Sequence, residues 1–290
     1  MVHEGGAGGR RALLAKSEFL ARPGPASPRV DAMTGSEGIM RDYTYEILYA
    51  MEEDHWWLSS RRKLVLDWIR KRYPDRRDLT ILDVGCGTGM MVLEMAALGR
   101  VEGVDASDDA LRFCRQRGLS TVRKANVVEL PFPDESFDVL TGVDILEHID
   151  DDVGALREWR RVLRPGGRLF LFVPAHQWLW SLQDEISGHR RRYTARSLRG
   201  VVNRAGFVVE RQSYVSTYLF PVIVLGRLWL KALRRVRQVQ SENTLHPGWS
   251  NGILRRVFMA EIPLLRRLDF PYGASLLCVA RNPDVHGNGV

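Results

Sequence analysis

Three glycines at alternate positions, Gly85, Gly87 and Gly89, lie in I-L-D-V-G-C-G-T-G, residues 81–89, between a run that reads as a strand and one that reads as a helix. Glycine there lets a backbone turn tightly and a bound ligand approach with no side chain in the way. Met90 stands where a dinucleotide fingerprint wants its last glycine, so the G-x-G-x-G spacing speaks against NAD and for a ligand without a pyrophosphate. Asp105 ends the next apolar run, twenty positions after Gly85, where a carboxylate can accept from both hydroxyls of a ribose. A second set of residues suits proton transfer. His148 lies in D-I-L-E-H-I, and His189 and Tyr193 lie in D-E-I-S-G-H-R-R-R-Y-T, residues 184–194. Imidazole titrates near neutral pH, so either histidine could take a proton from a hydroxyl under attack, while His148 reads equally well as a structural residue at a helix start.

These residues need a frame that gathers the ends of several strands. Strands are expected near 80–84, 101–105, 120–123, 137–141 and 168–173, with helices over 91–98, 107–116 and 152–163. Strands separated by helices build a parallel sheet with helices on both faces. Runs at 207–214 and 274–281 read as a sixth and a seventh strand, with roughly sixty residues between them where short connections are the rule. The expected class is therefore α/β: a Rossmann-like, seven-stranded, mostly parallel sheet with a helical insertion between strands six and seven. Ser107 is placed to cap the helix after the second strand, and Asp108 and Asp109 complement its dipole. Another helix, with Leu64, Val65, Trp68 and Ile69 on one face, is expected to start after Ser59 or Ser60. Residues 1–39, rich in Gly, Ala, Pro, Ser and Arg without periodicity, read as a disordered leader, and Met33 and Met40 offer alternative starts. One domain is expected over 40–290: a helical cover at 40–78, a core at 79–214, the insertion or lid at 215–273, and the last strand and tail at 274–290.

Residues 81–89 with Asp105 resemble the first two motifs of class I S-adenosylmethionine-dependent methyltransferases, and the resemblance runs through most of 81–207. A-N-V-V-E-L-P-F-P-D-E-S-F-D-V-L, residues 125–140, is similar to the family's adenine-binding turn and fourth strand, with Asn126 where the family usually has Asp. L-R-P-G-G-R-L-F-L-F-V-P, residues 163–174, is similar to its turn into strand five. The resemblance implies S-adenosyl-L-methionine as cofactor, with the loop Gly85, Cys86, Gly87 and Gly89 around it. It further implies Asp83 toward the amino acid end, Asp105 at the ribose with Ala106 beside it, and Asn126 and Val127 at the adenine. The backbone of Val143 would flank the methionine moiety and Asp144 the mouth of the site; Asp83 could instead serve only to hold the glycine turn. G-H-R-R-R-Y, and H-W-W at His55, Trp56 and Trp57, resemble a bacterial subgroup of methyltransferase type 11/12-like enzymes. That implies an acceptor pocket at 184–194, adjoining Trp178 and Trp180, with His189, His148 and Tyr193 as catalytic candidates; Trp56 and Trp57 read alternatively as plain apolar contacts of a helix. A sulfonium makes its methyl electrophilic, so the chemistry needs alignment and exclusion of water; no metal is required and none is expected.

Composition narrows the acceptor only a little. A hydrophobic fraction of 45% and a charged fraction of 27% are those of an ordinary globular chain. The net charge of +7 tilts toward anionic partners, though a surplus carried mainly by arginine also marks solvated faces written by a GC-rich genome. The fourth strand ends in D-I-L-E and lacks the N/D-P-P-Y/F/W of amino-base methylation, so no specific nucleic acid is expected. The reading is O-methylation of a small-molecule, glycan or lipid-linked acceptor; the rivals are a nucleic-acid methyltransferase and a cofactor-binding module without turnover. The apolar run 218–230 is broken by Pro221, Gly226 and Arg227 and is shorter than the ~20 residues of a span, so no transmembrane helix is expected. Cys86, Cys114 and Cys278 lack metal-ligand spacing, and with no export leader they suggest a reducing cytoplasm. Residues 219–237, apolar first and then basic at Lys231, Arg234, Arg235 and Arg237, suit peripheral contact with the inner membrane face or cover for an apolar substrate, and read alternatively as a core-packing helical lid with a solvated end.

Overall fold

The structure, a computed structural model, describes residues 42–234 and 248–284; the expected leader and the tail beyond 284 fall outside the described residues. Helices α1 (Asp42–Met51) and α2 (Trp56–Arg72) lead into β1 (Leu79–Val84). There follow α3 (Met90–Met95), β2 (Gly99–Asp105), α4 (Asp108–Gln116), β3 (Val122–Lys124), β4 (Phe137–Val143), α5 (Asp152–Val162) and β5 (Leu163–Pro174). The chain continues through α6 (Leu182–Ser187), α7 (Ala195–Arg204), β6 (Val208–Val215), α8 (Phe220–Arg234), α9 (Gly248–Leu265) and β7 (Ser275–Arg281).

The sheet order is β3-β2-β1-β4-β5-β7-β6. Pairings from β3 to β5 are parallel, and β7 runs antiparallel to both β5 and β6. Because β1 sits between β2 and β4, the order reverses there and a crevice opens at the carboxyl ends, the usual ligand position in such sheets. Ser107 caps α4 by accepting from the Ala110 amide, and Asp151 caps α5 by accepting from the Gly154 amide.

The start of α2 departs from expectation. The helix begins at Trp56, and Ser59 and Ser60 are buried inside it. Its first free amide is met from far along the chain: Trp56 N donates to Asn251 Oδ1 of α9 at 2.7 Å. Trp56 and Trp57 then close edge-on against Phe258 of α9, with centroids 6.5 and 5.7 Å away, and Trp57 against Phe172 of β5 at 5.8 Å. Both tryptophans thus make the apolar contacts of the alternative reading. Phe258 is fully buried, which contributes on the order of 1.5–3 kcal/mol, so this half of the insertion is core.

Helix α8 behaves differently. Val222, Leu225, Leu228 and Trp229 are exposed at helical spacing. The side chains of Lys231 and Arg234, and all of residues 235–247, fall outside the described residues. Among the described residues, no helix is long and apolar enough to cross a membrane.

Candidate functional site

The loop between β1 and α3 passes over the carboxyl end of the sheet, with Gly85, Gly87 and Gly89 all at positive φ. Its glycines differ in what they avoid. A Cβ on Gly85 would lie 2.7 Å from Ile145 Cγ1, and one on Gly89 2.5 Å from Leu119 Cδ1, so those two are kept small by the protein itself. A Cβ on Gly87 would meet only Leu48 at 3.6 Å. The expectation that all three clear space for a ligand thus narrows to Gly87. Cys86 is buried beside it, its amide bound to the Val104 carbonyl at 2.9 Å, and a hydrogen bond with Cys114, together with burial, raises its thiol pKa.

Asp105 ends β2 beneath this loop and accepts from Gly87 N and from Ser107 N, both at 2.9 Å. Its carboxylate has lone pairs to spare for further donors. Exposed Ala106 follows it at the site's rim. Asp83, at the end of β1, is 2% exposed and accepts from Thr141 Oγ1 at 2.6 Å. Burial, with the Glu52 and Asp105 carboxylates nearby, pushes the Asp83 carboxyl up to about 7.

At the opposite rim, Asn126 is exposed but its Oδ1 already accepts from Val128 N at 3.1 Å, and the Val127 carbonyl accepts from Trp159 Nε1 at 2.7 Å. Val143 ends β4, half-buried, and Asp144 follows at φ 51°. A non-glycine residue held there marks strain of the kind found at binding sites. Asp144 is ion-paired with Arg61 of α2.

The helical cover expected over 40–78 is formed by α1 and α2, and what sequence reasoning missed is how it is fastened to the loop. Helix α1 brings Tyr45 down beside Asp105 and stacks Tyr49 on Phe113, and in the turn just after it Glu52 accepts from Thr88 Oγ1 of the loop. Arg117 locks it there, donating to the Thr88 carbonyl at 2.9 Å and to Glu52 at 3.3 Å. Arg61 was missed as well. It is one arginine in a basic helix, yet its Nε is buried without a hydrogen-bond partner and it lies near Glu52, Asp83 and Glu147.

The proton-transfer candidates divide. Tyr193, expected beside the acceptor, is 2% exposed in the core and donates to Asp152 Oδ2 at 2.9 Å. Burial and that carboxylate raise its pKa, so the phenol ties α7 to α5 and is a structural residue. His148 and His189 meet edge-on with ring centroids 4.8 Å apart. His189 Nδ1 lies 2.8 Å from Asp184 Oδ1, and Arg192 grips the same carboxylate with two contacts of 2.8 Å. Those partners overcome the burial of Asp184 and hold it ionised well below the usual carboxylate range. Burial, and then His189, pulls His148 down to about 4. Burial pushes Glu147, between them, up to about 8.

A family model described as a methyltransferase domain matches residues 82–171. A 27-O-demethylrifamycin SV methyltransferase of Amycolatopsis mediterranei is 30% identical over 202 residues, covering 62% of this chain and 70% of that protein. A ubiquinone biosynthesis O-methyltransferase of Xanthomonas oryzae pv. oryzae is 32% identical over 138 residues, 42% of this chain and 57% of its own length, so the match spans little more than half of that relative. Among solved structures, one chain of the Haloferax volcanii complex between the Trm112 methyltransferase activator and a protein assigned as a methyltransferase superposes with a TM-score of 0.57 at 20% identity, covering 87% of this chain and all of that one. The [4+2]-cyclase SpnF superposes at 0.50 and 24% identity, covering 77% and 82%. Those two likenesses concern the fold alone.

Proposed function

The chain belongs to the class I S-adenosylmethionine-dependent methyltransferases, and on that premise we propose that it methylates a hydroxyl oxygen of a small or lipid-linked acceptor. The observation that carries the choice of oxygen is the meeting of His189, oriented by an ionised Asp184, with His148 and Glu147. A hydroxyl must lose its proton as it is methylated, and this cluster is equipped to help it do so. The names of the rifamycin and ubiquinone relatives describe O-methylation too.

The residues present fit the methyl donor. Gly87 leaves an open approach, Arg61 holds a buried N–H with no hydrogen-bond partner among the described residues, and Asp83 is a buried carboxyl that accepts from the Thr141 hydroxyl. S-adenosyl-L-methionine supplies a methyl group that its sulfonium makes electrophilic. In this reading Asp83 meets the donor's ammonium, Arg61 turns from Asp144 to its carboxylate, and Asp105 takes the ribose hydroxyls. Asn126 and Val127 flank the adenine, and Gly85, Cys86, Gly89, Ala106 and Val143 complete the wall. Helix α1 excludes water above the loop. A lipid-linked acceptor is favoured by the exposed apolar face of α8, which suits a membrane surface.

Purified protein given a panel of hydroxylated acceptors should form S-adenosylhomocysteine and an acceptor heavier by one methylene. Asp105→Ala should weaken donor binding at least tenfold, since each hydrogen bond to a charged group contributes about 1.5–3 kcal/mol. His189→Ala should leave that affinity intact and depress turnover. Equal loss of affinity in both variants would instead make 184–194 part of the donor site.

A further inference from the structure

Glu147 has no exposed surface, and among the described residues neither of its carboxylate oxygens has a hydrogen-bond partner. An ionised carboxylate so placed costs several kcal/mol unless something meets it. Two imidazoles face it. His189 Nε2 lies 3.9 Å from Glu147 Oε1, and one ligating atom each from Glu147, His148 and His189 fall within 4.8 Å of one another.

The surroundings determine which nitrogen of each ring is left to bind. Asp184, whose two oxygens also take Arg192, accepts from His189 Nδ1, which turns the Nε2 edge of the ring toward Glu147. His148 also commits one nitrogen, to the backbone of Gly188. Histidines oriented by a carboxylate or a carbonyl on the far nitrogen are the common form of metal ligand. The 3.9 Å between His189 Nε2 and Glu147 Oε1 is too long for a hydrogen bond and is a separation that two ligands of one cation can have.

We propose that Glu147, His148 and His189 bind one divalent first-row cation such as Zn2+. Two imidazoles and a carboxylate suit such ions better than Mg2+, and three protein ligands leave a position open for an oxygen. Its role rests on the O-methylation reading. The acceptor hydroxyl binds at the open position, and the cation lowers its pKa so that its proton passes to water near neutral pH. The oxygen then bonds to the methyl carbon as the carbon–sulfur bond breaks, and sulfur keeps the electron pair. His189 and His148 thus serve as ligands, and the metal-free expectation drawn from the sulfonium alone is replaced.

The test uses the full chain without a histidine tag, stripped with EDTA and titrated with Co2+. Visible d–d bands should saturate at one equivalent and disappear when Zn2+ is added. Glu147→Gln and His148→Ala should bind Co2+ at least tenfold more weakly, and Asp184→Asn, which leaves the ligands in place, roughly 10–100-fold more weakly. Should those variants not fold, X-ray absorption of the wild-type zinc adduct decides, because the site requires imidazole scattering in the zinc shell. No Co2+ band, a band unchanged in folded variants, or a zinc shell without imidazole overturns the proposal. Failure of the O-methylation reading looks different: the bands stand, and no acceptor yields S-adenosylhomocysteine.

Discussion

A carboxyl buried among other carboxyls keeps its proton, and Asp83 is such a group, with its pKa pushed up to about 7 from an unfolded value near 4. Between those values the folded chain binds more protons than the unfolded one. The stability contributed by Asp83 is therefore complete below about pH 4 and is lost as pH rises through about 7, a swing of at most about 4 kcal/mol. In Asp83→Asn this dependence should vanish. Melting temperatures of the donor-free proteins at pH 5 and 7.5 should show the wild type losing ground to the variant; parallel behaviour would mean that Asp83 is ionised throughout. An ammonium placed on Asp83 would replace the proton, so donor binding near pH 6.5 should release protons detectable by calorimetry in buffers of different ionisation enthalpy.

Within the β1–α3 loop, two glycines that look alike in sequence should respond differently to the same change. Both are at positive φ, which costs an alanine about 1–2 kcal/mol. At position 85 the new methyl also meets Ile145 Cγ1 at 2.7 Å and Cβ at 3.0 Å, and overpacking of this kind adds about 1–3 kcal/mol. At position 87 it meets little. Gly85→Ala should therefore be the less stable protein in urea, and Gly87→Ala the better folded one with the greater relative loss of donor affinity. The opposite order would mean that Gly85, and not Gly87, borders the ligand. Helix α1 completes this element, since Glu52 and Arg117 hold it onto the loop it covers.

At the scale of the whole molecule, the insertion between β6 and β7 divides its labour. Helix α9 packs with α2 as core, whereas α8 keeps Val222, Leu225, Leu228 and Trp229 in solvent. If that face meets lipid, wild-type protein should sediment with anionic vesicles. A Leu225→Ser, Trp229→Ser variant should lose most of that binding without losing donor affinity, because both side chains are exposed and neither is among the residues assigned to the donor. Absence of vesicle binding by the wild type at low salt would make α8 a surface for something other than an anionic membrane and a soluble acceptor the better choice.

The amino-acid sequence alone determined the strand–helix alternation, the glycine loop, Asp105 at the end of the second strand and Ser107 as a cap. All of these are local: hydrophobic period, backbone permissiveness and capping act within a few residues. The insertion could be located but not interpreted, since whether an apolar helix becomes core or surface depends on which distant partner it finds, and α9 found α2. For the same reason Tyr193 read as catalytic when its hydroxyl in fact belongs to Asp152, forty-one residues earlier in the chain. The burial of Glu147, the placement of His148 against His189 and the hold of Asp184 on His189 were decided only by tertiary structure. Desolvation and lone-pair direction are properties of a packed neighbourhood, and no sequence spacing encodes them.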